Sequence, residues 1–529
     1  MKKSPVVLIV LDGVGYNENP KGNAVLAANT PNLDSYYKKY PWTLLDASGE
    51  AVGLPAGFQG SSEVGHLSMG AGRIVEQELK RINDKLEDGS LFENEKWRNL
   101  IDAWKKNDSQ FHFFGLLQDE GVHAHQDHLF KLMKRARQEF PKGKIVIHPF
   151  LDGRDTSPRS TLEYFYTLRQ EMDKIGNCRI GTIMGRYYGM DRVKSWNLTD
   201  RAYNCIVDAI GKKAAEPETA IKKSYENDKT PSGVDMFDEY IEPHVINGYS
   251  GVADGDVILH TNYRQDRAIQ LTQAFVDNDY PGTLKRKPQV TYVGLTRYYD
   301  EFEDYLLGGM DEGAEKLDNL VGQVISESGL KQLRLAETQK FRHVTSFFNG
   351  KSTTPFPNED QVEIPGRFDP SSFAEHPEME AYNVTTELLK RIENNPYDFI
   401  LINYANGDMV GHTGDMKAAT KAVEILDENL GKIIPRLLEL DAKILITADH
   451  GNCDQMVDYE TGQVRTSHSL NPVRCVYISA DTGGITLKQN GILPDIGPTV
   501  LHLMGFPIPV NMTADCLMEL CEGLKPSQG

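Results

Sequence analysis

Ile444-Leu445-Ile446-Thr447-Ala448-Asp449-His450-Gly451-Asn452 reads as a buried strand that ends in a carboxylate and an imidazole. Short, continuous runs of β-branched and aliphatic residues belong inside a parallel sheet, where both faces are covered. Upstream, Phe399-Ile400-Leu401-Ile402-Asn403-Tyr404 has the same form and is followed by Asp408 and His412. At the N-terminus, Val6-Val7-Leu8-Ile9-Val10-Leu11 runs into Asp12-Gly13. Between the two later runs, roughly Met416 to Leu440 carries helical periodicity, so strand, helix and strand make one parallel unit. Open α/β sheets bind ligands beyond the carboxyl ends of their strands. Three polar clusters at three such ends therefore point to one site.

The region from about 78 to 312 has a rhythm of its own. Helical segments (Leu129–Phe140, Thr161–Ile175, Asp200–Ile210) alternate with apolar strands (Phe111–Leu117, Ile145–His148, Arg179–Met184, Val257–His260). The fold class is therefore α/β, with one domain formed by 1–77 and 313–529 and a second α/β domain, 78–312, interrupting it. Two chain crossings make a natural hinge. Gly350 to Pro370, rich in Pro, Asn and charge, reads as a surface loop or lid.

With 529 residues, the chain is too long for one core. Its net charge of −19, from 57 basic and 76 acidic side chains, argues against broad nucleic-acid binding. A small anionic substrate remains compatible, because a few arginines in one cleft reverse the local field. Pro5 to Leu11 is too short to span a membrane, Asp-Gly-Val-Gly after it is a poor cleavage site, and no later stretch approaches 18 apolar residues. The six cysteines (178, 205, 453, 475, 516 and 521) contain no Cys-x-x-Cys pair. Reduced thiols in a cytosolic enzyme are expected.

Asp408 and His412 stand four apart, so one helical turn points both side chains the same way. Asp449-His450 supplies a second carboxylate–imidazole pair, and Asp12 and His468 complete the set. Mixed Asp and His ligands suit Mn²⁺, Zn²⁺ or Mg²⁺. Any one such pair is ordinarily a capping acid and a packed histidine; their recurrence beside strand ends is what argues for metal. Gly60-Ser61-Ser62-Glu63-Val64-Gly65-His66 places serine where a helix start favours phosphate. A serine hydroxyl is a weak nucleophile until a neighbouring cation activates it. Read alone, Ser-Ser-Glu is a helix cap.

Arginines cluster in three Gly- or aromatic-flanked segments: Arg154 beside Asp155, Arg186 and Arg192, and Arg264 with Arg267. Singly they would be surface ion pairs; together they suit a substrate carrying phosphate and carboxylate. His123-Ala124-His125-Gln126-Asp127-His128 matches the His-x-His-x-Asp-His pattern of metallo-β-lactamase-like hydrolases. The further ligands of that family are missing downstream, so substrate contact by His123, with His125 and His128 structural, is the preferred reading.

Asp12, Ser62-Glu63-Val64-Gly65-His66, Gly121-Val122-His123, Leu151-Asp152-Gly153-Arg154-Asp155-Thr156, Gly185-Arg186-Tyr187-Tyr188-Gly189-Met190-Asp191-Arg192, Arg264-Gln265-Asp266-Arg267-Ala268, Ala336-Glu337-Thr338-Gln339-Lys340, Asp408 to His412 and Thr447 to Asn452 together resemble the cofactor-independent phosphoglycerate mutases of the alkaline phosphatase superfamily. The motifs run from residue 12 to about 513. The resemblance implies an alkaline-phosphatase-like metal-binding domain carrying an inserted phosphotransferase domain. It also implies two divalent ions, manganese first among magnesium, cobalt and zinc, and no bisphosphoglycerate. One ion would be held by Asp408, His412 and His468, the other by Asp12, Asp449, His450 and the Ser62 oxygen. Ser62 would be the phosphorylated nucleophile and Lys340 would neutralise the transferring group. Arg264 and Arg267 would grip phosphate. His123, Arg154, Asp155, Arg186 and Arg192 would hold glycerate, with Asp155 trading protons with its hydroxyls. The reaction implied is the interconversion of 3- and 2-phosphoglycerate in glycolysis and gluconeogenesis by a cytoplasmic monomer. Three departures stand out: Ser61 where Asn is usual, Gln118-Asp119-Glu120 where Ser-Asp-Gly is usual, and Arg342 where proline is common. They touch supporting contacts, and no proposed ligand is lost. The alternatives are a metal-dependent phosphatase or phosphopentomutase of the same superfamily, or a metal-binding scaffold. The phosphatase would leave its phosphoserine open to water and would need no glycerate-holding insert.

Overall fold

The three apolar runs are neighbouring parallel strands of one sheet, Phe399–Tyr404, Val6–Leu11 and Lys443–Thr447. The computed structural model describes residues 4–231, 233–308, 317–394 and 397–520. The chain forms two units, one from Met1–Gln77 and Lys316–Gly529, the other from Glu78–Glu315. The boundary expected at 312/313 and Cys521 lie outside the described residues. Among the described residues the cysteines are free, and no helix is long and apolar enough to cross a membrane.

In the first unit the strand order is Glu359–Ile364, Gln332–Glu337, Phe399–Tyr404, Val6–Leu11, Lys443–Thr447, Val473–Ile478, Trp42–Asp46, Gly491–Ile492. The first five run parallel; Val473–Ile478 is antiparallel to both neighbours. Side chains alternate between two cores. Val6, Leu8, Val10, Leu401 and Leu445 face one, and Val7, Ile9, Leu11, Ile400, Ile402, Ile444 and Ile446 face the other. This two-sided burial is why the runs are continuously apolar. Each buried aliphatic contributes about 1.5–3 kcal/mol. The Met416–Glu439 helix covers the second core with Ile425, Leu426, Leu430, Ile433 and Leu437. The Ser62–Ala71 helix covers the first with Val64 and Met69. Leu11 pairs with Tyr404 and Val10 with Thr447, so the chain leaves all three strands at one edge.

The Gly350–Pro370 stretch is not wholly loop: Glu359–Ile364 is an edge strand, paired in parallel from Gln332↔Glu359 to Glu337↔Ile364. Its Val362 and Ile364 pack on the core while Glu363 between them is exposed. Charge is how natural sheets protect an open edge, and it hides the strand from a reading by hydrophobicity.

The described residues of the second unit build a nine-stranded sheet around Val257–His260, Gln110–Leu116, Lys144–Leu151 and Thr182–Gly185, which run parallel. The strand expected at Arg179–Met184 divides into Cys178–Ile180 and Thr182–Gly185. Between them is Gly181, where a Cβ would stand 2.8 Å from His148 Cε1. Two helices start earlier than expected, at Gln126 and Trp196. The first is capped by His125, which accepts the Asp127 N–H; the second ends where Ala209 turns left-handed at φ 52°. Here too the arginine-bearing segments follow the carboxyl ends of parallel strands.

Candidate active site

Two glycines allow the strand ends of the first unit to converge. Gly13, at φ +75°, passes so close to Asp408 that a Cβ would lie 2.6 Å from its Cα. Gly65 lets the serine helix approach Asp449, whose carbonyl oxygen would be 2.7 Å from an added Cβ. Ser61 is the helix cap, its Oγ accepting the Val64 N–H at 3.4 Å. Ser62 is the first helical residue. The Ser62 hydroxyl is buried, 3.1 Å from Asp12 Oδ1 and 3.0 Å from His450 Nε2. Lys340 Nζ stands 2.6 Å from Ser62 Oγ, Asp12 Oδ1 and Asp408 Oδ2.

Around this serine are two groups of donor atoms, Asp408 with His412 and His468, and Asp12 with Asp449 and His450. In the first, Asp408 Oδ1, His412 Nε2 and His468 Nε2 form a triangle with 3.1 Å sides. Donors about 2.0–2.1 Å from a tetrahedral ion stand a little over 3 Å apart, so the triangle matches one face of such a site. The tautomers agree. His412 Nδ1 donates to Thr466 O and His468 Nδ1 to Gly60 O, each at 2.7 Å. Both Nε2 lone pairs are thereby turned toward the same point. In the second group, His450 Nε2 lies 3.5 Å from Asp12 Oδ1 and 3.7 Å from Asp449 Oδ2. Asp449 Oδ1 accepts the Gly13 N–H at 3.3 Å, while its buried Oδ2 makes no hydrogen bond and has His66 Nδ1 3.4 Å away. Converging lone pairs and an unsatisfied carboxylate oxygen fit divalent cations in both groups.

Electrostatics follow from burial. Burial, with Asp449 and Asp408 nearby, pushes the Asp12 carboxyl up to about 6. Burial also raises Asp408 and Asp449, but Lys340, His412 and His468 outweigh it at the first, and His450 and His66 at the second. Both are held well below the usual carboxylate range. Burial lowers Lys340, yet Asp12, Asp408 and Asp449 more than reverse this, so the ammonium stays charged.

The second unit gathers the other expected residues. Arg186, almost fully buried, donates at 2.6 Å to Asp152 Oδ1 and to Asp155 Oδ2. Arg192 reaches Asp266 Oδ2 at 2.5 Å, Arg264 Nε lies 3.3 Å from Asp266 Oδ1, and Arg267 donates to Met190 O at 3.1 Å. Arg154 meets Glu239 at 3.3 Å. His123 stands 3.7 Å from both Asp155 and Asp266, its Nδ1 buried without a partner. Burial together with Arg186, Arg264, Arg267 and Arg192 drives its pKa down to about 2. Burial and the crowding of Arg186, Arg192 and Arg154 lower even Arg267. Mutual repulsion among guanidinium groups marks a place that an anion would stabilise. His125 and His128 face elsewhere: His128 Nε2 meets Asn83 Oδ1 at 2.7 Å.

The departures have local roles. Gln118 braces the His123 loop, accepting from Gly121 N and donating to Ala124 O at 3.2 Å each. Arg342 is exposed just before a single π-helical turn, His343–Phe347, that follows Lys340. Two amides had no role assigned from sequence. Asn403 Nδ2 donates to Asp12 Oδ2 at 2.7 Å, and Asn452 Nδ2 donates to Asp408 Oδ1 at 2.9 Å. A polar amide inside the otherwise apolar run 399–404 was the available signal for the first.

A family model described as the metalloenzyme superfamily matches residues 4–508. The chain is 45% identical over 525 residues to the 2,3-bisphosphoglycerate-independent phosphoglycerate mutase of Clostridium novyi, covering 98% of this chain and all of that one. It is 44% identical to 2,3-bisphosphoglycerate-independent phosphoglycerate mutase 1 of Methanosarcina acetivorans, covering 98% and 99%. Its fold is similar to the crystal structure of Leishmania mexicana phosphoglycerate mutase at low cobalt concentration, with TM-score 0.76, 29% identity and 98% of each chain covered. Likeness that extends end to end, over a chain whose serine, lysine and acidic donors converge as described, shows that the protein belongs to the 2,3-bisphosphoglycerate-independent phosphoglycerate mutase family, within the metalloenzyme superfamily.

Proposed function

We propose that the chain interconverts 3-phosphoglycerate and 2-phosphoglycerate through a phosphoserine at Ser62, with two divalent ions and no bisphosphoglycerate. The observation that carries this reading is the Ser62 hydroxyl at a helix start, within 3.1 Å of Asp12, His450 and Lys340. Asp408, His412 and His468 would hold one ion, and Asp12, Asp449 and His450, with the Ser62 oxygen, the other; manganese is the first choice. Bound there, the ions supply charge neutralisation for a phosphoryl group in transfer. Residues 1–77 and 313–529 act as the metal-binding domain, and 78–312 as an inserted substrate-binding domain.

The Ser62 oxygen forms the new bond to phosphorus and gives up its hydroxyl proton, with Asp12 and Lys340 beside it. The bond from phosphorus to the glycerate O3 breaks and O3 gains the proton that Ser62 gives up, with Asp155, paired to Arg186, trading protons at the glycerate hydroxyls. Lys340 balances charge on the group in flight. Arg264 and Arg267 grip phosphate, and His123, Arg154, Arg186 and Arg192 retain glycerate. Asp155 then takes the proton of the 2-hydroxyl, which accepts the phosphoryl group and restores Ser62. No water enters the balance, so glycerate must be kept and water excluded. A cytoplasmic monomer is the expected working form. A mutase assay without bisphosphoglycerate, on chelated and then manganese-reloaded protein, tests the reading. Activity should vanish and return; full activity in metal-depleted protein would refute it.

A further inference from the structure

We infer that Asn403 is a positioning residue that, with His66, fixes the Asp12–Asp449–His450 donor set relative to Ser62; this rests on those residues holding a divalent ion. Asn403 is fully buried on the Phe399–Tyr404 strand, with Val10 as its register partner. Its Nδ2 lies 2.7 Å from Asp12 Oδ2 and 3.1 Å from His66 Nε2. The hydrogen positions follow from the partners. His66 Nδ1 is 2.9 Å from the Ser62 carbonyl oxygen, which only accepts, so Nδ1 carries the proton and Nε2 is an acceptor. Asp12 Oδ2 is also an acceptor. The Asn403 amide must therefore turn its two N–H bonds to Asp12 and His66, and its Oδ1 is left buried without a partner. That orphaned oxygen is the cost of a fixed orientation.

The consequence is geometric. Asp12 Oδ2 is occupied by the amide, so Oδ1 alone is presented to Ser62, His450 and Lys340. His66 Nδ1 also stands 3.4 Å from Asp449 Oδ2. Asn403 and His66 thus touch Asp12, Asp449 and the Ser62 backbone. The other donor set has its own amide, Asn452, on Asp408. A structural asparagine would affect folding generally; a positioning asparagine should act on one donor set and spare the other.

The test uses manganese binding to the full chain, followed by calorimetry and by the EPR signal of bound Mn²⁺. His468→Ala confines tight binding to the Asp12 set, and His450→Ala confines it to the Asp408 set. In the first background, Asn403→Leu should weaken Mn²⁺ binding roughly 10–100-fold. In the second it should change binding less than about twofold, whereas Asn452→Leu should show the reverse pattern. His66→Phe, which leaves the amide in place but removes its second acceptor, should weaken the Asp12 set alone, and decides the matter where Asn403→Leu fails to fold. Equal loss in both backgrounds, or none in either, overturns the positioning role. Absence of Mn²⁺ binding in the unaltered protein would instead overturn the two-ion reading beneath it.

Discussion

The serine site of the first unit and the arginine site of the second answer opposite charges with opposite materials. In the first the carboxylates sit just beyond strand ends, Asp12 and Asp449 fully buried and Asp408 nearly so, while His412 is 40% exposed and His468 stands on a loop. The second uses long side chains, and although Arg186 is buried, the side chains of Arg154, Arg192 and Arg264 are 53%, 46% and 40% exposed. Metal ligation tolerates errors of only a few tenths of an ångström, so its donors belong on rigid elements. Capture of an anion by guanidinium forks tolerates re-aiming, and a group that must be held through two transfer steps benefits from arms that move. The difference teaches which residues can be changed gradually and which cannot.

The sharpest break is at the nucleophile. Ser62→Ala should lower turnover by at least about 10⁴-fold, because the covalent step has no substitute. Ser61→Ala, one residue away, should cost about 0.5–2 kcal/mol of stability and little activity. Steady-state rates and thermal melting separate the two; a dead Ser61→Ala beside an active Ser62→Ala would transfer the role.

Next in size is one candidate donor of the Asp408 group. His468→Ala should leave a single tightly bound ion by elemental analysis and reduce mutase activity on the order of 10²-fold or more. If two ions remained at full affinity, the 3.1 Å triangle would be a packing feature.

On the arginine side the effect should be graded and should appear in product ratios. Loss of a carboxylate contact costs about 2–5 kcal/mol where the pair is buried and less for half-exposed Arg154 and Arg192, so a shift of several-fold in partition is expected. Arg154→Ala or Arg192→Ala should raise inorganic phosphate relative to 2-phosphoglycerate as glycerate escapes from the phosphorylated enzyme. An unchanged ratio, with both products falling together, would assign these arginines to initial binding.

The smallest effect concerns His123. Its folded pKa of about 2 lies below the ordinary value of 6.5, so the unfolded chain takes up the proton first. The stability contribution is complete above about pH 6.5 and is lost as pH falls toward 2. His123→Gln should therefore flatten the melting temperature between pH 6.5 and 5.5 by about 2–4 °C. In NMR the ring of the free protein should not titrate from pH 5 to 8, and a bound phosphoglycerate should raise its pKa by neutralising the arginines. A ring that titrates near 6.5 without ligand would show that the guanidinium field is weaker than the geometry implies.

Much of the convergence around Ser62 was legible because the acidic donors follow obvious strands. Asp12, Asp408 and Asp449 each sit just beyond an apolar run, and the i, i+4 spacing of Asp408 and His412 survives as a 3.1 Å contact. His468 has no such flag, and Lys340 was readable only through family resemblance, since neither borders a long apolar run of its own kind. Asn403 escaped because one amide in a strand carries no periodic signal. The Glu359–Ile364 strand escaped because its edge position carries charge, and the close approach of His148, Val146 and Tyr249 at Gly181 is a tertiary contact that local sequence does not show.

Local pattern by itself determined the α/β class, the parallel strands and the polar residues at their ends, since burial on both faces leaves a continuous apolar trace. Tertiary structure alone decided which lone pairs meet. The turn of His412 and His468 depends on the Thr466 and Gly60 carbonyls. The single free oxygen of Asp12 depends on Asn403. The depressed basicity of His123 depends on arginines from three separate segments. Hydrogen-bond direction and electrostatic field arise from atoms brought together across hundreds of residues, and no local spacing encodes them.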